Sequence, residues 1–191
     1  VEDLKDCRRC DLWKHATQAV PGEGRRNATL LLVGEQPGDE EDRQGHPFVG
    51  PAGRLLDLAI EAAGLTRADL FITNAVKHFK WEPRGKRRLH KKPSLAEIRA
   101  CTVWLEQEID EVKPKALVAL GATALRALMG AAGPTIEKAR AAQLRHATGR
   151  WIVATYHPSA ILRAEGERAD ELRAHLIADL KRAARLADET P

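Results

Sequence analysis

The sequence contains no run of 18 apolar residues, and its opening stretch, VEDLKDCRRC, lacks the basic, apolar and small-residue zones of a secretory leader. Both absences predict a soluble, intracellular protein with no membrane span. Cysteine is scarce and odd in number, with only Cys7, Cys10 and Cys101. Such a set cannot build a disulfide framework, which excludes a small secreted scaffold, whereas the CRRC spacing of Cys7 and Cys10 suits a metal or cluster clamp. Internal repeats and low-complexity linkers are missing too. At 191 residues the chain is therefore expected to form one domain, 1–191, with one sizeable core.

Charge is present but unevenly spread. The 31 basic and 27 acidic side chains leave a formal charge of +4 and a pI of about 9.1, so the surface as a whole is only mildly basic. Six of the nine positions from Arg84 to Lys92 are Lys or Arg, and His90 sits among them. That concentration suits a polyanion such as a nucleic-acid backbone better than a small neutral substrate. A solvated loop is the plainer alternative. The segment shows neither helical nor strand periodicity, so 84–92 is expected to be a basic loop carrying one imidazole.

Elsewhere short apolar runs alternate with helical patterns. ATLLLVG (28–34), LFITNAV (70–76), KALVALG (115–121) and WIVATYH (151–157) read as buried strands. PAGRLLDLAIEAAGL starts a helix at Pro51 with Gly64 as its stop, and SLAEIRACTVWLEQEIDEV starts one at Ser94, where Ser94 and Glu97 form a capping box. ATALRALMG and a long amphipathic C-terminal segment supply two more. Alternation of strand and helix predicts an α/β fold with a parallel sheet covered on both faces. Glu35, Gln36 and Asp39 follow the first strand, Asn74 and His78 the second, Gly121 the third and His157 the fourth. Ligands of open α/β sheets bind beyond the carboxyl ends of the strands, so these residues point to one active-site crevice, which the 84–92 loop can also reach. Phe48, in a Gly/Pro-rich loop before the Pro51 helix, is a candidate to stack on a base.

The motifs GEQPGDEED, PFVGPAGRLL, TNAVKH, KRRLH and TYHPSAILR, in this order and with the cysteine pattern, resemble the iron-sulfur uracil-DNA glycosylases related to family 4, and within them the X-type (UdgX) branch. The likeness covers nearly the whole chain, with Leu89 where the usual form of the branch has Ile. It implies a single-domain three-layer sandwich with a four-stranded parallel sheet. It also implies a monomeric bacterial cytoplasmic enzyme, associated with the nucleoid, that acts on uracil-containing DNA, single-stranded by preference, and releases uracil.

Residue roles follow from the same resemblance. Asn74 matches the amide that reads the polar edge of uracil, Phe48 the stacking aromatic, and His157 the histidine near uracil O2; Gln36 and Asp39 match residues lining the pocket, with Asp39 positioned for water or for the positive sugar. His90 matches the loop histidine that attacks C1′ and leaves the protein covalently joined to the abasic site, so that each molecule turns over once. Glu35 matches the acid that orients this histidine, and Arg87 and Arg88 are expected to hold the loop and engage phosphate. Cys7, Cys10 and Cys101 match three ligands of a 4Fe-4S cluster, with His78 in place of the fourth. On ligand types alone, three cysteines and a histidine serve zinc equally well.

Overall fold

The computed structural model describes residues 3–130 and 132–190, so the expected domain limits at Val1 and Pro191 lie outside the described residues. The chain lays down β1 (Glu23–Gly24), β2 (Leu30–Gly34), α1 (Asp39–Gln44), α2 (Pro51–Ala62), β3 (Phe71–Asn74), β4 (Trp81–Arg84) and β5 (Arg87–His90). It continues with α3 (Leu95–Val112), β6 (Ala116–Leu120), α4 (Ala122–Met129), α5 (Ile136–Ala141), β7 (Leu144–Arg145), β8 (Trp151–Thr155), α6 (Pro158–Arg163) and α7 (Gly166–Asp188). Each of the four expected strands is present, shorter by two or three residues.

Among the described residues the main sheet has six strands in the order β1-β3-β2-β6-β8-β7, not the four expected. The β3-β2-β6-β8 block is parallel as anticipated, with Leu32 level with Ile72 and Val118. At the edges, two-residue strands close it antiparallel, β1 on β3 and β7 on β8. Two residues are too few to show an alternating pattern, which is why these edges escape a periodicity reading.

Period-two alternation along the strands builds the core on both faces. Leu30 and Leu32 face α2, α6 and α7, whose Leu56, Ile60, Ile161, Leu176 and Leu180 fill one layer. Leu31 and Val33 face the opposite side, against Leu105 and Ile109 of α3 and Leu125 of α4. Strands buried on both faces read as continuous apolar runs for this reason. The Ser94–Glu97 capping box forms as expected, Glu97 N–H donating to Ser94 Oγ at 3.2 Å and Ser94 N–H to Glu97 Oε2 at 2.7 Å.

The segment expected to be an aperiodic loop is instead largely the second strand of a β-hairpin, in which Trp81 pairs with His90 and Arg84 with Arg87 around Gly85 at φ 59°. Both strands are polar and stand apart from the main sheet, so no apolar alternation announces them. The hairpin is fixed from beneath. The Gln36 carboxamide donates to the carbonyls of Lys80 (3.2 Å) and Lys91 (3.0 Å) and accepts from Lys80 N–H (3.1 Å), joining the hairpin's two ends. Arg88, its side chain only 15% exposed, binds Asp39 (2.5 Å) and Asp42 (2.6 Å), with its guanidinium over the rings of Phe79 and Trp81.

Behind the carboxyl end of β3 lies a buried ion pair. The fully buried Lys77 ammonium donates to Thr73 Oγ1 (2.6 Å), Asn74 O (2.8 Å) and Glu108 Oε2 (2.7 Å). Removing one partner of such a pair strands a charge in a medium that cannot solvate it. Glu108→Ala is therefore expected to lower unfolding free energy by roughly 3–5 kcal/mol, read as a fall in the urea midpoint; an unchanged midpoint would show that the ammonium finds another acceptor.

Candidate active site

The carboxyl ends of β2, β3, β6 and β8 open onto a crevice of about 1540 Å³, lined among others by Glu35, Gln36, Asp39, Phe48, Asn74, Arg87, His90 and His157. This volume exceeds the usual range of a small-molecule pocket, about 300–1,000 Å³. Arg88 lies under the hairpin, engaged with Asp39 and Asp42. His78 and the cysteines lie away from the crevice.

At the end of β2, Gly34 carries no side chain because the space is taken: a Cβ there would stand 2.4 Å from both Asn74 Oδ1 and Phe48 Cζ. Asn74 is 2% exposed, and its Oδ1 is a buried acceptor with no donor among the described residues. Buried polar atoms are rarely left so, and an acceptor of this kind awaits a ligand N–H. Phe48, at φ 53°, sits 5.8 Å from the His157 ring.

The Phe48 loop is held on two sides by residues the sequence reading did not single out. Glu41, almost fully buried, accepts the backbone N–H groups of Gly38 (3.1 Å), Val49 (3.1 Å) and Gly50 (2.8 Å). Arg67 donates to the carbonyls of Phe48 (3.0 Å) and Pro47 (2.9 Å) while paired with Asp57. The acidic string GDEED concealed the division of labour among its members; the only sequence signal for Glu41 was its place three residues after the turn Gly38.

His157 caps α6. Its Nδ1 accepts the Ser159 N–H at 3.0 Å, which leaves the neutral ring with its hydrogen on Nε2. Burial pushes its pKa down to about 4; the Glu35 carboxylate opposes this, and the proximity of His90 and Arg163 adds to it. The capping role and a donor role are therefore compatible: the cap fixes which nitrogen donates.

Glu35 bridges two elements. Oε1 lies 3.0 Å from His90 Nε2, and Oε2 accepts the Thr123 hydroxyl from the first turn of α4. Burial disfavours the charge on this carboxyl, but the hydrogen bonds from His90 and Thr123 outweigh it and hold the pKa below the ordinary glutamate value. With its Nε2–H given to Glu35, His90 keeps a lone pair on the opposite ring nitrogen. Asp39 is also held below its usual range: partial burial opposes its charge, and the guanidinium groups of Arg88 and Arg43 prevail.

On the far side of the β3 carboxyl end, Cys7 and Cys101 share a buried cluster with Leu12, Val76, Ile98 and Trp104, and Cys10 packs against it. Lys77 N–H donates to Cys101 Sγ (3.3 Å) and the Trp104 indole N–H to Cys7 Sγ (3.2 Å). Burial raises the Cys101 thiol to about 11. His78 is buried next to Lys77 in sequence, its pKa lowered by burial first and then by the nearby charge of Arg8. Among the described residues, no three His, Cys, Asp or Glu side chains surround a single-ion position.

The sequence profile described as "Uracil DNA glycosylase superfamily" matches residues 21–181. The chain belongs to the uracil-DNA glycosylase superfamily. It is 39% identical over 175 residues to the type-4 uracil-DNA glycosylase of Pyrobaculum aerophilum, covering 88% of this chain and 86% of that protein. It is 37% identical over 182 residues to the type-4 enzyme of Thermotoga maritima, covering 95% and 90%. The type-5 uracil-DNA glycosylase of Pyrobaculum aerophilum is 31% identical over 173 residues, covering 83% and 73%. The match to the superfamily profile takes in all four strand ends of the crevice and the whole hairpin, while Cys7 and Cys10 precede it.

Because Gln36 joins the ends of the hairpin, Gln36→Leu should leave the global melt nearly unchanged but speed backbone hydrogen exchange across residues 81–90 by roughly tenfold, the loss of about 1–2 kcal/mol of local hydrogen bonding. Unchanged exchange would show that Arg88 alone secures the hairpin.

Proposed function

We propose that the protein excises uracil from DNA, single strands being preferred, and then captures the abasic sugar on His90. The observation that carries this reading is the contact of His90 with Glu35 at 3.0 Å inside a crevice that also presents Asn74, Phe48 and His157. A base flipped into this space stacks on Phe48, and its N3–H supplies the donor that Asn74 Oδ1 lacks. Cytosine offers an acceptor at that position and leaves Asn74 unmatched. The preference for single strands follows from the cost of flipping, a few kcal/mol in a duplex and much less where the base is already unpaired.

As the C1′–N1 bond breaks, its electron pair leaves on uracil. The neutral Nε2–H of His157 stabilises the charge growing on O2. The His90 lone pair then forms the new C1′–N bond, the positive charge of the sugar passes to the alkylated imidazolium beside the Glu35 carboxylate, and the uracil anion takes a proton from solvent. Glu35 orients the ring by the logic of a catalytic triad. Arg87 and Lys92, in the crevice lining, meet phosphate. The product cannot leave except by reversal, so turnover is one.

Cys7, Cys10, Cys101 and His78 are proposed to hold a 4Fe-4S cluster, the X-type arrangement. The buried sulfurs that accept N–H groups from Lys77 and Trp104 fit thiolate ligands, which such donors stabilise. The group would serve structurally, fastening the N-terminal segment to the chain that leads into the hairpin. A brown protein with broad visible absorption supports this assignment, whereas a colourless, zinc-containing one overturns it.

The relatives' names favour a second reading, a conventional type-4 glycosylase in which water captures the sugar and the hairpin only grips DNA. Incubation with a uracil-containing oligonucleotide separates the two: a band shifted on a denaturing gel and stable to heat and detergent supports capture, and free abasic product without a shift supports turnover. His90→Ala should abolish the shifted band while some uracil release persists. Glu35 has a depressed pKa, so its contribution is complete above the ordinary glutamate range and is lost as pH falls through the lower folded value. Capture also needs an unprotonated imidazole, so adduct formation should be lost on acidification no later than the Glu35 carboxylate takes up its proton; adduct formation that persists below the ordinary carboxylate range would contradict both roles.

A further inference from the structure

The Glu35 carboxylate is held at both oxygens, from two different elements. His90 on β5 takes Oε1. Thr123, 2% exposed on α4, gives its hydroxyl hydrogen to Oε2. We propose that Thr123 is a positioning residue that locks the Glu35 carboxylate so that His90, and not water, captures the sugar cation. This inference rests on the reading of His90 as the nucleophile.

The terminal torsion of a glutamate is soft and broad, so a carboxylate gripped at one oxygen still swings the other. With Oε2 fixed to α4, Oε1 has one direction, and the imidazole that donates to it has one orientation. The hairpin is fastened at its base by Gln36 and Arg88, but these contacts place its backbone and not the ring of His90. Thr123 supplies the missing constraint from the main body of the fold, since α4 follows directly from β6. Gly121, just before α4 at φ 91°, lets the start of that helix lie close to His157: a Cβ there would press on His157 Cβ at 3.0 Å. The titratable groups that face Glu35 are His90 from the hairpin and His157 from the turn after β8, with Thr123 the neutral donor from α4.

A residue that positions the acid changes the division of the sugar cation more than the breaking of the glycosidic bond. Thr123→Val keeps the branched shape and removes the donor; Thr123→Ala removes it with a residue well suited to a helix. Wild type and both variants are incubated with a uracil-containing single strand at one neutral pH, and denaturing gels with alkaline cleavage count adduct and free abasic strand. In both variants the ratio of adduct to free abasic product should fall roughly tenfold, the scale of one hydrogen bond to a charged group, while total uracil release is largely kept. Thr123→Ser, which keeps the hydroxyl donor, should restore the ratio.

Absence of any adduct with wild-type protein defeats the nucleophile reading itself. Adduct in wild type with the ratio unchanged in the Val and Ala variants overturns the role of Thr123 and leaves that reading intact. Parallel loss of release and adduct, with the ratio preserved, likewise overturns it in favour of a merely structural hydroxyl.

Discussion

The account depends on one contact, between a carboxylate at the end of a core strand and an imidazole at the end of a separate hairpin. Glu35 is placed by β2, whose side chains are buried on both faces and leave its carboxyl end little freedom. His90 is placed by a ribbon of eight strand residues and turn that has no apolar core of its own. An isolated two-stranded ribbon is marginal in water. The 3.0 Å separation of the two groups therefore reflects the fastening of the hairpin to the body as much as the attraction of the pair.

That fastening explains how the acidic run after β2 is used. Asp39 and Asp42 hold Arg88, Glu41 gathers three backbone amides beneath the Phe48 loop, and Gln36 joins the two ends of the ribbon. One short segment, from Gln36 into α1, thus secures both walls of the crevice, Phe48 on one side and His90 on the other. The same economy appears at His157. Capping α6 through Nδ1 settles its tautomer, and burial favours the neutral ring, so in the proposed reaction it would meet the departing base as a donor without adding a full positive charge next to His90.

Much of this was legible in the sequence because the core obeys simple periods. Leu30 to Val33, Ala116 to Leu120 and Ile152 to Ala154 are apolar runs that only a doubly covered strand explains, and the polar residues after them marked the crevice. The two edge strands and the hairpin were not legible, the first through brevity and the second because its stability comes from contacts remote in sequence. Asp39 and Arg88 are 49 positions apart and Glu35 and Thr123 are 88 apart, and no local pattern announces those bonds. Thr123 could be inferred only after α4 was seen to begin beside β2. Composition alone read the cations of 84–92 as one field, whereas the fold sets Arg88 against acids and leaves Arg87 and Lys92 in the crevice lining.

The most direct measurement of the central claim is peptide mapping by mass spectrometry after the protein has reacted with a uracil-containing single strand and the nucleic acid has been trimmed by nucleases. The account predicts a deoxyribose-derived mass on the peptide that includes His90, with fragment ions placing it on that imidazole. The same mass on any other residue, or unmodified peptide after complete release of uracil, would contradict it.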